Sequence, residues 1–262
     1  MEHYGFGIMK LTDHPDNHRN DRGSMLIHQG SKIEGMKLIR ESAENGQPNS
    51  LASLIWYEVI DDEISLAIKD FEYCLPKTTT WIADEKIRVN RLWLTSQADK
   101  DALIDFYYYQ VSNSKSNAAL AYLAKKQEKK AMELWNEAAV NHGHIEARFY
   151  PIFHLCKSDP SASLGILTNS FTKKELQSLI SDLVEVSSKG SGWFAKWAEE
   201  GLKVLKKAVQ SNSKNWKGAG TAAAAGGASY IASKQLNNYV KNQMEENFGD
   251  GESVADWLGD FF

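Results

Sequence analysis

Two short clusters of histidines and acids have the residue types and spacing that could bind a metal ion. They are Asp13-His14-Pro15-Asp16-x-His18 and His142-x-His144-x-Glu146. A zinc site needs three or four such ligands converging on one point. The first cluster lies in a polar stretch with a proline, which favours a solvated loop. The second follows a helix, where histidines complement the helix dipole. We therefore expect no metal and no cofactor.

Nucleophilic and phosphate-binding motifs are also missing from the sequence. There is no serine elbow, no cysteine in a catalytic histidine context, and no glycine loop followed by Lys-Ser/Thr. The two cysteines, Cys74 and Cys156, lie in helical apolar patterns far apart in the sequence. We expect both to be buried thiols and not a disulfide framework. The sequence thus favours a protein that is not an enzyme.

Composition narrows the class of protein further. The chain has 262 residues, of which 42% are hydrophobic and 24% charged, as in ordinary globular proteins. Its net charge of −4 argues against a nucleic-acid partner held by phosphate contacts. Met1 to Lys10 has no signal-peptide pattern, and no apolar run approaches the roughly 18 residues of a membrane span. We expect a cytoplasmic protein.

The clearest structural pattern lies between residues 118 and 143. The segments 118–126 and 128–142 predict an antiparallel helix pair, and Gly143 is placed to end the second helix in a left-handed conformation. Small and apolar residues of the second helix fall three and four positions apart on one stripe. They are Ala131, Leu134, Trp135, Ala138 and Ala139. This pattern resembles the second helix of a Sel1-like or tetratricopeptide repeat.

The small-large-small pattern recurs along the chain. It is found at Gly35-x3-Ile39-x2-Ser42, Ala67-x3-Phe71-x2-Cys74 and Ala131-x3-Trp135-x2-Ala138. The starts predict a period of about 32 residues, close to that of tetratricopeptide units. The period also predicts a partial copy at Asp99-x3-Leu103-x2-Phe106 and a copy that keeps the pattern at Ser163-x3-Leu167-x2-Ser170.

The resemblance implies an all-α fold in which antiparallel helix pairs stack as an α-solenoid with a C-terminal helical tail. We place the repeats at residues 22–189, an N-terminal arm or poorly formed helix at 1–21, and the tail at 190–262. Locally, Ser31 and Glu34 predict a capping box, and Ile33, Met36, Ile39 and Ala43 an apolar stripe. Pro76 should end one helix, and residues 112–117 should form a turn.

Such arrays present a concave surface, so the resemblance implies a non-enzymatic scaffold that binds a peptide or protein. The run from Phe106 to Tyr109 cannot all face the core of a helical protein. Aromatic residues are enriched in binding surfaces. The predicted partner-binding residues are Tyr107, Tyr108 and Tyr122, with Trp257, Phe261 and Phe262 in an acidic, aromatic C-terminus.

The segment after residue 190 leaves alternatives open. Trp193 and Trp197 share a predicted helix with several lysines, a combination found in helices at membrane surfaces. The favoured alternative is a helix that covers the last repeat. A membrane adaptor acting through residues 193–239 is therefore the second hypothesis. A bacterial immunity-type protein that neutralises a toxin is the third.

Overall fold

The computed structural model describes residues 15–92, 95–190 and 192–211. These residues form helices joined by short turns, and none of them lies in a β-strand, which confirms the all-α class. The chain divides into two units, Met1–His144 and Ile145–Phe262. The first unit contains α1 (Pro15–His28), α2 (Lys32–Glu44), α3 (Pro48–Ile60), α4 (Ile64–Asn90), α5 (Gln97–Ala124) and α6 (Glu128–His142). The second contains α7 (Ile145–Leu155), α8 (Pro160–Ser170), α9 (Lys173–Lys189) and α10 (Trp193–Ser211).

The same backbone turn occurs at four places in the first unit. Gly30, Gly46, Asp62 and Lys126 each have a positive φ, of 90°, 95°, 63° and 60°. At each turn this residue donates its N–H to the carbonyl three residues back, and the next residue donates to the carbonyl five residues back. A new helix begins two residues after each turn. The four positions are 16, 16 and 64 residues apart, so the predicted period of about 32 residues does not hold throughout the unit. Two helices of 13 residues each lie between residues 30 and 62, whereas two helices of 27 and 28 residues fill the interval between 62 and 126.

The residues of the predicted small-large-small pattern are buried in all three clear copies. The large members Ile39, Phe71 and Trp135 are at most 3% exposed, and the small members around them are equally inaccessible. The copy predicted at residue 99 is only partial, because Leu103 is buried but Phe106 is 41% exposed. Small residues at these positions allow the helices to approach closely.

The pair α5–α6 packs as the sequence predicts. The side chains of Ala131, Leu134, Trp135, Ala138 and Ala139 are all buried. Trp135 is completely buried, and its indole N–H donates to the carbonyl of Ser116 on α5 at 3.2 Å. Gly143 ends α6 with a φ of +58°, a conformation that glycine adopts without steric cost.

The helix end predicted at Pro76 is wrong. The helix α4 continues from Ile64 to Asn90, although Pro76 cannot donate a backbone hydrogen bond. The hydroxyls of Thr78, Thr79 and Thr80 instead donate to carbonyls four residues back, at 3.1–3.3 Å. A helix that would otherwise break there is retained because its buried face extends on both sides of the proline.

The turn predicted at residues 112–117 is also wrong, because α5 runs through it without a break. Ser112, Ser114 and Ser116 are buried, and the Ser114 hydroxyl donates to the carbonyl of Val111 at 2.7 Å. The Asn117 amide donates to the carbonyl of Ala52 on α3 at 3.2 Å. These polar side chains therefore pack helix against helix instead of marking a loop.

The chain is already helical from Pro15, inside the segment expected to be an arm. Proline is well tolerated in the first turn of a helix. The Ser42 hydroxyl donates to the Asp16 carbonyl at 2.8 Å, and the Gln47 amide donates to the Asn17 side chain. The helices α1 and α2 approach each other closely at Gly35, where a Cβ would lie 2.5 Å from the backbone carbonyl of Gly23. Buried hydrogen bonds therefore hold the polar start of α1 in place.

The second unit is built around an aromatic core. Phe153 and Trp197 meet edge to face with ring centroids 4.9 Å apart, and Phe194 lies against Tyr150. Gly201 faces Phe153 so closely that a Cβ would lie 2.3 Å from the ring. A capping box that the sequence analysis missed begins α9, with Thr172 and Glu175 bonding each other's backbone N–H groups.

Candidate functional site

Two of the three tyrosines predicted to bind a partner are core residues. Tyr107 is completely buried and packs edge to face on Trp81, with ring centroids 5.0 Å apart. Tyr122 is 4% exposed, and its hydroxyl donates to the Glu72 carboxylate at 2.7 Å. The prediction that they line an open groove needs correction, because the inward face of α5 includes both positions.

The exposed part of the aromatic run lies on the other faces of α5. Phe106, Tyr108 and Tyr109 are each between 36% and 41% exposed, which confirms that the four residues cannot all be buried. Tyr109 packs on the ring of His144 at a centroid distance of 5.0 Å. Of the predicted tyrosines, only Tyr108 is accessible enough to contact a partner.

A groove with a volume of about 690 Å³ runs along α2 and the turn between α3 and α4. Ile33, at 88% exposure, is the most exposed large hydrophobic side chain among the described residues. The α2 groove is lined by Lys32, Ile33, Met36, Lys37, Arg40, Glu41, Glu44, Asp61 and Glu63. It therefore combines apolar side chains with charges of both signs on a regular helix.

A buried ionic network holds Arg40 in the α2 groove. The Arg40 Nη2 donates to Glu58 Oε1 on α3 at 2.5 Å, and its Nε donates to Asp70 Oδ2 on α4 at 3.1 Å. The side chain of Glu58 is completely buried and that of Asp70 is 14% exposed. One guanidinium thus connects three helices beneath the groove.

The network shifts the pKa values of Glu58 and Arg40. Burial raises the pKa of Glu58 to about 8, with the hydrogen bond and negative charge of Asp70 acting in the same direction, while Arg40 opposes them. The Arg40 pKa is raised above its ordinary value because its two carboxylate partners outweigh burial, which alone would lower it. Glu58 therefore keeps its proton to a much higher pH than an ordinary carboxyl group.

The accessible charges of the groove are arranged unevenly. Lys32 forms an ion pair with Asp61 across the mouth, and the Lys37 ammonium lies 4.0 Å from Glu41. Two further carboxylates, Glu44 and Glu63, also line the groove. Carboxylates thus outnumber the lysines and arginine, and the surface attracts cations.

The capping box and apolar stripe predicted for α2 both need correction. The Ser31 side chain makes no capping hydrogen bond. Ile33 points to solvent, whereas Gly35, Ile39, Ser42 and Ala43 are buried. Helical periodicity alone could have shown that Ile33 is exposed, because it lies about 120° around the helix from the buried Ile39. The groove itself depends on the α3–α4 turn and was not visible from one helix.

No group of three or more histidine, cysteine or acidic side chains suited to a metal ion occurs among the described residues. Asp13 and His14 of the first predicted cluster lie outside them. Cys74 and Cys156 are buried free thiols, as predicted. Burial raises the pKa of Cys74 to about 12 and that of Cys156 to about 11, which keeps both protonated at neutral pH.

The apolar face of α10 is occupied by its own unit. Trp197 is 3% exposed and its indole N–H donates to His154 Nδ1 at 3.3 Å. Trp193 stacks on Trp197. This packing agrees with a helix that covers its neighbours. In the part of the chain that the structure describes, no helix has the length and apolar character needed to cross a membrane.

The remaining predicted binding residues, Trp257, Phe261 and Phe262, lie outside the described residues, as does most of the proposed membrane segment 193–239. Comparisons with protein-family models, curated proteins and solved structures found no match to this chain.

Proposed function

We propose that the protein is a non-enzymatic helical-repeat scaffold that binds a peptide or protein segment in the α2 groove. The observation that carries the proposal is Ile33, an isoleucine that is 88% exposed on a helix within a groove of about 690 Å³. Burying such a side chain against a partner contributes roughly 1.5–3 kcal/mol to the free energy of binding.

The surroundings of the groove favour rigid binding. Arg40 ties α2 to α3 and α4 from below, so the helix that displays Ile33 needs little ordering on binding. The turn that recurs at residues 30, 46, 62 and 126 joins consecutive helices, which favours the stacking of helix pairs in a Sel1-like or tetratricopeptide-like array. An array of this kind displays grooves between neighbouring pairs.

Affinity capture from an extract of the source cells, followed by mass spectrometry, tests the proposal. The bait is the full-length chain, compared with Ile33→Ser and with the matched control Ile87→Ser, which removes an isoleucine that is 53% exposed on α4. A partner retained by the control and lost with Ile33→Ser supports the proposal.

A third bait, Tyr108→Ala, separates the two candidate surfaces. Loss of the partner with Tyr108→Ala, while Ile33→Ser still retains it, would move the binding site to α5. If the wild-type protein captures nothing above a mock bait, the scaffold function itself is contradicted.

A further inference from the structure

We infer that the segment bound in the α2 groove is basic, with one apolar side chain flanked by lysine or arginine. This inference rests on the proposed function and gives its partner a chemistry. It is carried by the charges that line the groove and by the apolar contact between them.

The cations of the groove are already engaged by carboxylates of the same protein. Lys32 pairs with Asp61, and Arg40 donates to Glu58 and Asp70. An anionic ligand would therefore compete with these internal partners for the positive charges. The two carboxyl partners of Arg40 engage only two of its five N–H donors, but Asp70 already balances its charge.

The carboxylates, in contrast, are in excess. Four carboxylates and three cations line the groove. Asp61 and Glu41 pair with Lys32 and Lys37, so the excess negative charge comes from Glu44 and Glu63. This excess remains even with Glu58 neutral. A lysine or arginine of the partner meets carboxylates at the groove, and the attraction increases the association rate as well as the affinity.

The apolar part of the groove sets the second requirement. Ile33 and Met36 lie on the same side of α2, and both line the groove. An apolar side chain of the partner covers them, and methionine adapts to varied shapes. The groove thus favours an apolar anchor between positive charges over a uniformly charged strand.

The chain's own C-terminus does not meet these requirements. Residues 249–262 contain acidic and aromatic side chains and no lysine or arginine. Negative charges would be brought against the carboxylates of the groove, which costs free energy at any close approach.

Titration calorimetry on the full-length protein tests the inference with three short synthetic peptides of equal length. The first has one leucine flanked on both sides by lysines, the second replaces the leucine with serine, and the third replaces the lysines with glutamates. We expect binding of the first alone, with an affinity that falls as salt is added.

Two variants and a matched control locate the site. Glu41→Lys should weaken binding of the first peptide about fivefold, because it reverses one charge in the groove. Ile33→Ser should weaken it about tenfold through the lost apolar contact. Glu133→Lys is the control, since this exposed glutamate on α6 also lies beside a lysine, with Lys130 Nζ at 3.6 Å. It should leave the affinity unchanged.

Each other result overturns the inference in a recognisable way. Tighter binding of the glutamate peptide would reverse the predicted chemistry, while leaving the scaffold function intact. Equal binding of the serine and leucine peptides would show a purely electrostatic, unspecific attraction. If no peptide binds but an Ile33-dependent partner is still captured, the inference of a basic segment is rejected and the scaffold function stands. Sedimentation of the protein that shows a dimer dissociated by Ile33→Ser would identify a second copy as the occupant.

Discussion

Replacing Glu58 with glutamine should remove much of the pH dependence of stability. The Glu58 carboxyl has an ordinary pKa of 4.5 in the unfolded chain and a pKa of about 8 in the folded protein. Because the folded state binds the proton more tightly, this group's contribution is fully present below pH 4.5 and is lost as the pH rises through 8.

The expected magnitude follows from the proton linkage. Between the two pKa values, each pH unit lowers the free energy of unfolding by about 1.4 kcal/mol. The total over this range is on the order of 5 kcal/mol for the single group. Glutamine reproduces the protonated carboxyl, since its carbonyl accepts from Arg40 and its amide can donate to Asp70, but it does not titrate.

Urea denaturation of wild type and Glu58→Gln at a series of pH values between 5 and 9 measures this difference. The variant should become progressively more stable than wild type as the pH increases. Burial also raises the pKa of Glu146 and of Asp182, but both groups are present in both proteins and cancel in the comparison. Two stability curves that remain parallel across the range would refute the reasoning.

Three other substitutions test the packing and the turns. Trp135→Ala should lower the free energy of unfolding by about 3–5 kcal/mol, because it empties a fully buried site and removes the hydrogen bond to Ser116. Chemical denaturation measures this loss, and a value below about 1 kcal/mol would contradict the packing. Gly143→Ala should cost about 1 kcal/mol, since its φ is +58° and nothing lies within 4 Å of the added Cβ. Gly165→Ala also meets open space but lies inside α8, so thermal melting should show a gain of about 0.5–1 kcal/mol. Equal effects of the two glycine substitutions would contradict the assigned backbone conformations.

The sequence predicted the fold best where apolar spacing and backbone chemistry agree. The stripe around Trp135 and the cap at Gly143 required only helical periodicity and the freedom of glycine to adopt positive φ. The errors at Pro76 and at residues 112–117 share another cause. Both stretches are polar or proline-containing, but their hydroxyls bond to carbonyls of the preceding turn and their small size lets neighbouring helices approach. Local signals cannot report that tertiary packing.

The candidate site was less accessible to sequence reasoning. Tyr107 and Tyr108 are neighbours, and only the identity of the packed face distinguishes a core tyrosine from an exposed one. The ionic network of Arg40, Glu58 and Asp70 joins residues up to 30 positions apart on three helices. Without the positions of the helices, these residues appear as ordinary surface charges.

The recurring turn at residues 30, 46, 62 and 126 has a consequence for how such a chain changes length. The backbone leaves each turn in an equivalent conformation, although the helices that these turns join differ in length from 13 to 28 residues. A whole helix with its turn could therefore be gained or lost without a new kind of loop. Asp62 and Lys126 show that this junction does not require glycine, so its sequence is able to diverge while its conformation is kept.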